Sequence, residues 1–275
     1  MVSNDGLEEE SYAVTQRTKL KRMPARGAYD KKTVHAILDE GFLCHLGYTI
    51  DGQPYVLPNA YGRVGERLYF HGSITNRSFK TLQAGADVCL TVTLLDGLVL
   101  ARSGFHHSAN SRSVVVLGKA EVVTDPEEKH KALDAIVNHI IPGRADDLAE
   151  KRPPTKAEYN ATIVLSLPLD EVSAKERVGG PKDEEKDMDL NIWAGVLNMH
   201  THVTAGIESA ADLKPGLPVP DYVTHYRRPS ERHKGGLAST SGSGGMHNAS
   251  LTPQHLMLAV AVAVLGTICM MTVFQ

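Results

Sequence analysis

GFLCHLGYTIDGQPYVLPNAYG, residues 41–62, reads as two strands and the turn that joins them. GFLCHLGYTI has strand length and apolar content, Asp51-Gly52 is a pair that tolerates a tight hairpin, and QPYVLPNAYG (53–62) returns as the partner. Working outward, RLYFHG (67–72) follows as a strand after the turn residues Gly62 to Glu66. VCLTVTLLDGLVLARSG (88–104) resumes β character, and SVVVLGKAEVVT (113–124) is a long strand with Gly118 as a bulge or point of close approach. TIVLSLPL (162–169) and EVSAKERVG (171–179) add two more. Helices are few. YDKKTVHAILDE (29–40) has Asp30 as N-cap, with Val34, Ile37 and Leu38 on one face, and a second helix spans Thr75 to Ala84. DPEEKHKALDAIVNHIIPG (125–143) is capped by Asp125, opened by Pro126 and stopped by Pro142-Gly143. Its expected apolar stripe is Ala132, Ile136, Val137 and Ile140. The pattern predicts a mainly β chain: an antiparallel barrel with peripheral α-helices.

Composition narrows the function. Hydrophobic residues make up 42% of the 275, enough for a full core, and the net charge of −3 gives no reason to expect nucleic acid. Cys44, Cys89 and Cys269 are far apart and form no CxxC pair, which speaks against a disulfide framework or a cysteine zinc site. The N-terminus, MVSNDGLEEESYAV, lacks the basic start and apolar stretch of a secretory signal. The C-terminus differs: LMLAVAVAVLGTICMMTVF, residues 256–274, holds 19 consecutive residues without a charge. As a helix it would reach about 28 Å, close to the thickness of a bilayer core. The expected organisation is a disordered segment over 1–18, a barrel domain over 19–232, a Gly/Ser-rich linker over 233–250 and a membrane anchor over 251–275. Such an anchor leaves the domain on the cytosolic side.

Three constellations could carry chemistry. In HGSITNRSFKTL (71–82), Ser73 or Thr75 can cap a helix, and Arg77 and Lys80 project from one face of its first turns. That arrangement suits a phosphate dianion, and equally a solvated surface helix with two ordinary cations. In VLPNAY (56–61), Pro58 places the strand at an edge. Backbone groups beside Asn59 could then meet a planar heterocycle, or nothing. In FHHSANSR (105–112), adjacent His106 and His107 would point to opposite faces of a strand, so metal binding by both is disfavoured. His200 and His202 are better spaced but lack acidic or cysteine neighbours. No GxSxG elbow supports a triad. Ser108, Asn110 and Arg112 form a polar turn able to contact a sugar, a phosphate or a ring carbonyl.

Taken together, HGSITNRSFKTL and TVTLLDGLVLARSGFHHSANSRSVVVLGKAEVV resemble the pyridoxamine 5'-phosphate oxidase-like flavoproteins, in the branch with the nitroimidazole-resistance and flavin-nucleotide-binding proteins. The resemblance runs from about Lys19 to Tyr226 and takes in WAGVL (193–197) and GLPVPDYV (216–223). It implies a split β-barrel and a homodimer holding FMN in a cleft between subunits. Carried over, Pro58, Asn59, Ala60 and Tyr61 would line the flavin ring, and His71, Gly72 and Ser73 would lie near the ribityl chain. Asn76, Arg77, Ser78 and Lys80 would hold the phosphate. Trp193, His107, Ser108 and Arg112 would close the cleft, with His107 or Arg112 as candidates to stabilise charge on the reduced ring. The sequence departs from the oxidase that makes pyridoxal phosphate, because RRPSER (227–232) runs straight into the linker. The expected function is an FMN-dependent oxidoreductase passing hydride or electrons between a nicotinamide donor or small-molecule substrate and an acceptor. The alternative is a flavin or haem carrier of the same fold, with His71, His107 or His45 as a haem ligand.

Overall fold

Asp30 starts the first helix, its carboxylate accepting from the Thr33 amide at 2.7 Å and satisfying a donor that every helix start leaves open. The computed structural model describes residues 10–203, 207 and 209–229. A short strand β1 (Gly27–Ala28) leads into α1 (Lys31–Glu40), whose buried side chains include Val34, Ile37 and Leu38. Strands β2 (Leu43–Ile50) and β3 (Gln53–Ala60) then pair antiparallel in unbroken register, from Leu43 opposite Ala60 to Ile50 opposite Gln53. Asp51 and Gly52 turn between them at φ 50° and 81°, the left-handed pair that matches the natural twist of a hairpin.

Beyond the hairpin come β4 (Gly62–Val64), β5 (Arg67–Ser73), α2 (Arg77–Gln83) and β6 (Asp87–Leu100). They are followed by β7 (Ser108–Lys119), β8 (Glu121–Val122), α3 (Pro126–Ile140), α4 (Arg144–Lys151) and α5 (Lys156–Ala161). β9 (Thr162–Pro168), β10 (Glu171–Arg177), β11 (Gly195–Asn198) and α6 (Asp221–Thr224) complete the described elements. One antiparallel sheet runs β1-β10-β7-β6-β2-β3, with β11 also paired to β6, and the other runs β4-β5-β9-β8. Between them lies the main core, built from α1, α2 and both sheets, with Leu68, Phe70, Leu90, Val92, Val114 and Leu165 fully buried. A smaller core forms where α3 covers the other face of the second sheet, around Tyr69, Val123, Ala132, Ile136 and Val164. β9 is buried on both faces, which is why TIVLSLPL shows no alternation.

The structure corrects several expectations. Gly62–Val64 is not turn but strand, paired with β5, so the reversal falls at Gly65-Glu66. FHHSANSR is not one polar turn: a single 3-10 turn at Gly104–His106 makes the corner, and β7 has already begun at Ser108. Of the two readings of Gly118, close approach holds, since a Cβ there would stand 3.1 Å from Leu167, while its register opposite Val88 is regular and the bulge lies in β6, between Leu95 and Gly97. The strand expected to reach Thr124 breaks at Ala120, and Glu121–Val122 joins the second sheet. Of the stripe expected on α3, Ala132 and Ile136 are buried, while Ile140 is exposed. Residues 10–18, expected to be disordered, are packed on the domain: Tyr12 donates its amide to Tyr29 at 2.8 Å and its hydroxyl to Glu66 at 2.7 Å. The chain divides after Lys234 into two units, and every described residue belongs to the first. The linker read over 233–250 and the membrane anchor read over 251–275 lie wholly outside the described residues. Among the described residues no helix is long and apolar enough to cross a membrane.

Candidate functional site

Helix α2 is capped by Asn76, whose side chain accepts from Ser78 at 2.8 Å and Phe79 at 3.4 Å. Ser73 and Thr75 instead bond to one another at 2.8 Å. The cap therefore engages amides that could have faced an anion, and recognition falls to side chains. Arg77 and Lys80 both line an open groove of about 710 Å³, with Thr75 and Thr81 beside them. Neither cation forms an ion pair among the described residues. Arg77 is positioned by a stack: its guanidinium lies 5.5 Å from the Tyr55 ring, Tyr55 stacks on Tyr48 at 5.7 Å, and Tyr48 bonds the Ser78 hydroxyl at 2.6 Å. Ser78 is thus turned inward to fix the tyrosine, and is not an exposed phosphate contact.

The neighbouring candidates separate into different environments. Pro58 lies opposite His45 on the edge strand β3, where its missing N–H costs no ladder bond to a further strand. Asn59 and Ala60 stand beside it, with the Asn59 amide donating to the Ala60 carbonyl at 2.7 Å. Tyr61, expected at a cofactor ring, is fully buried, and its hydroxyl lies 2.5 Å from the Leu38 carbonyl and 3.1 Å from that of Gly41. It is a core residue tying β3 to α1. Gly72, expected near a ribityl chain, is required for packing: a Cβ there would stand 2.6 Å from the Phe79 ring.

His71 belongs to the other side of β5. Leu68 and Phe70 point into the main core, and Tyr69 points toward α3. By strand alternation His71 shares that second face, and it lines a groove of about 450 Å³ with Leu133, Val137, Leu148 and Tyr159. The ring is exposed at the groove mouth, and desolvation by the groove wall lowers its pKa from the ordinary histidine value, which favours the neutral form. Nearby, His130 bonds the Pro126 carbonyl through Nδ1 at 2.8 Å and stacks on Tyr159 at 4.7 Å. At the rim Arg152 and Glu158 form a two-bond ion pair at 2.7 and 2.9 Å, and with the Thr155 cap it brings the Glu158 carboxyl down to about 2. This groove is absent from the sequence reading. Its visible signal was T-x-x-E at Thr155 to Glu158, which forms a reciprocal capping box on α5.

Of the residues expected to close a cleft, Ser108 and Arg112 lie on β7 of the first sheet and His107 and Trp193 lie outside the strands, and none of them lines either groove. Arg112 is engaged by Asp96 through two hydrogen bonds of 2.9 and 2.8 Å, which holds it firmly charged. His107 is exposed, with Nδ1 2.9 Å from the Ser103 carbonyl. Ser108 starts β7 opposite Val99, and Asn110 bonds the buried Arg177. Trp193 is 65% exposed, with its ring over Gly195. Arg77 and Lys80 thus share a groove, while His71, Arg112 and Trp193 each stand elsewhere. Among the described residues no cluster of three or more histidine, cysteine or acidic side chains could hold a metal ion.

The model of the pyridoxamine 5'-phosphate oxidase family matches residues 30–176. Among solved structures, the chain is similar to the flavocytochrome Anf3 of Azotobacter vinelandii: 40% identity over 78% of this chain and 97% of that one, TM-score 0.72. It is similar also to an FAD- and haem-binding protein of Mycobacterium smegmatis: 35% identity over 72% of this chain and 95% of that one, TM-score 0.67. A third, from Bacteroides thetaiotaomicron and named as a candidate 5-nitroimidazole antibiotic resistance protein, is 28% identical over 54% of this chain and 85% of its own, TM-score 0.46. No curated protein matches.

Proposed function

Because this chain belongs to the pyridoxamine 5'-phosphate oxidase family, we propose that it is a flavin-binding oxidoreductase whose cofactor, FMN or FAD, is held through its phosphate by Arg77 and Lys80. One observation carries the reading: two cations on one helix face an open groove without a carboxylate partner among the described residues, and a tyrosine stack aims one of them. A guanidinium offers a planar fork and an ammonium a point charge, so together they suit a phosphate group. The flavin supplies hydride or single-electron transfer when bound. The chain's own part is to hold the phosphate and to present the edge of β3 at Pro58 to Ala60 to the ring. Electrons would come from a nicotinamide donor or a small-molecule substrate.

A second cofactor is favoured by a separate observation. His71 is an exposed imidazole on the wall of a largely apolar groove of about 450 Å³, and desolvation by that wall lowers its pKa and so favours the neutral form. A neutral imidazole is the form that ligates iron, and groove volumes of ~300–1,000 Å³ are those of cofactor and ligand sites. Leu133, Val137 and Leu148 would cover the apolar faces of a haem there. Two of the similar proteins of known structure are named as a flavocytochrome and as an FAD- and haem-binding protein. We therefore assign this groove to haem, with His71 as an axial ligand.

Absorption spectra test both assignments together. Wild-type protein should show flavin bands and a Soret band. Arg77→Ala with Lys80→Ala should lose the flavin bands, and His71→Ala should lose the Soret band while keeping flavin. Unchanged flavin in the double variant overturns the phosphate assignment, and an unchanged Soret band in His71→Ala overturns the ligand. Extraction of the flavin separates FMN from FAD. Bleaching by NADH or NADPH, with reoxidation by an acceptor, separates an enzyme from a carrier. The apolar segment 256–274 supports tethering to a membrane with the domain facing the cytosol. Truncation after Lys234 should then release a membrane-pelleting protein into solution.

A further inference from the structure

Helix α2 gives its groove more than two cations. Arg77, Lys80, Thr81 and Ala84 are three, four and seven residues apart, so they form one stripe along the helix. All four line the groove of about 710 Å³, and Gly85 and Ala86 continue the wall past the helix end. At 1.5 Å per residue the stripe runs about 10 Å from Arg77 to Ala84. A phosphate seated between Arg77 and Lys80 fills only the first part of that length. FMN ends at its phosphate, so nothing of FMN would lie along the remainder.

Asp51, at the tip of the β2–β3 hairpin, is the residue that a site for one phosphate does not explain. Its carboxylate lines the groove with Arg77 and Lys80, yet pairs with neither among the described residues. An unpaired carboxylate repels a phosphate dianion. The turn does not demand the charge either: at φ 50° ahead of Gly52, asparagine serves the same left-handed turn. What a carboxylate can do in this place is accept hydrogen bonds from two neighbouring hydroxyls, as acidic side chains do for the ribose of dinucleotides. Ala84, Gly85 and Ala86 carry nothing beyond Cβ and leave room for a planar base. We infer that Asp51 is a specificity-determining residue that reads a ribose diol, and that the groove takes a nucleoside diphosphate, the adenosine half of FAD. Arg77 and Lys80 hold the diphosphate, Asp51 accepts from the ribose hydroxyls, and the Ala84–Ala86 wall lies against the base. The inference rests on the flavin-phosphate reading and goes beyond it by choosing between its two cofactors.

Calorimetric titration of the flavin-stripped full chain, in detergent, with FAD, FMN and ADP as probes, tests it. FAD should bind about tenfold or more tightly than FMN, and ADP should compete with FAD about tenfold better than 2'-deoxy-ADP does. Asp51→Asn, which suits the same turn, should erase both differences and leave FMN affinity at or above that of wild type. FMN as tight as FAD in wild type, no discrimination between ADP and 2'-deoxy-ADP, or differences that survive Asp51→Asn would overturn the inference and leave the Arg77–Lys80 assignment standing. Undiminished flavin binding in Arg77→Ala with Lys80→Ala would overturn that assignment and the inference with it. NADH carries the same adenosine diphosphate half, so displacement of FAD by NADH at equal concentration would give the groove to the electron donor and overturn the choice of FAD.

Discussion

His139 reaches from α3 to the end of α1, with Nε2 2.5 Å from the Gly41 carbonyl and its ring 4.6 Å from that of Tyr61. Burial is the main cause of its lowered pKa, outweighing the Gly41 bond that raises it. His35, between Tyr12 and Glu66, and His71 are shifted the same way, burial again first. Each therefore binds its proton less tightly in the folded chain than in the unfolded one. The stability this gives is complete above the ordinary histidine value of 6.5 and is lost as pH falls through the lower folded-state values. Urea midpoints should drop between about pH 7.5 and 5.5, with the half-buried His35 and His139 each contributing at most about 1.4 kcal/mol per pH unit and the exposed, solvent-screened His71 less. His139→Gln should make that slope shallower. An unaltered slope would show that His139 is not among its sources. At this scale the sequence was half legible. RLYFHG displays the alternation that pairs His71 with Tyr69, but not that α3 would cover their face and leave an apolar groove there.

Helix α2 is short, seven residues, and its placement depends on its ends. Asn76 caps it, and Phe79 seats it in the core over Gly72. Removing a side-chain cap typically costs about 1 kcal/mol, so Asn76→Ala should lower the denaturation free energy by that amount. Because Arg77 and Lys80 ride on the same element, the variant should also bind flavin more weakly, read as a raised dissociation constant for added FMN or FAD. Normal flavin affinity in a destabilised variant would show that the cations are positioned by the tyrosine stack alone. The elements missed from sequence include β1, β4, α4, α5, β11 and α6, all short. Segments of this length carry too little periodicity to stand out, and their stability comes from the surfaces they dock against. The long elements were readable because their signals are local: Asp30 and Asp125 as caps, Asp51-Gly52 as the turn.

Across the whole molecule, the first sheet ends at β3 with Val56 65% and Leu57 40% exposed, and Leu43, Leu95, Leu98 and Leu197 are exposed on its other strands. An edge strand with exposed apolar side chains is an invitation to association, and proteins rarely leave such a surface uncovered. This supports the homodimer that the family resemblance implied, with flavin at the subunit interface and Trp193 reaching across. Val56→Glu should therefore shift the full chain from dimer to monomer in light scattering coupled to gel filtration, and should reduce flavin content in parallel. A dimer that persists with full flavin would place the interface elsewhere.

The sequence by itself determined the β architecture, the main hairpin, the principal caps and the pair of cations on α2. Each of these depends on residues within one helical turn or one strand reversal. Tertiary structure alone decided that Tyr61 is core, that His71 faces an apolar groove, that Asp96 holds Arg112, and that Arg228 closes on Glu40 across 188 residues of chain. Those facts come from packing between segments distant in sequence, where burial and pairing are set by the elements that meet and by no signal within either one.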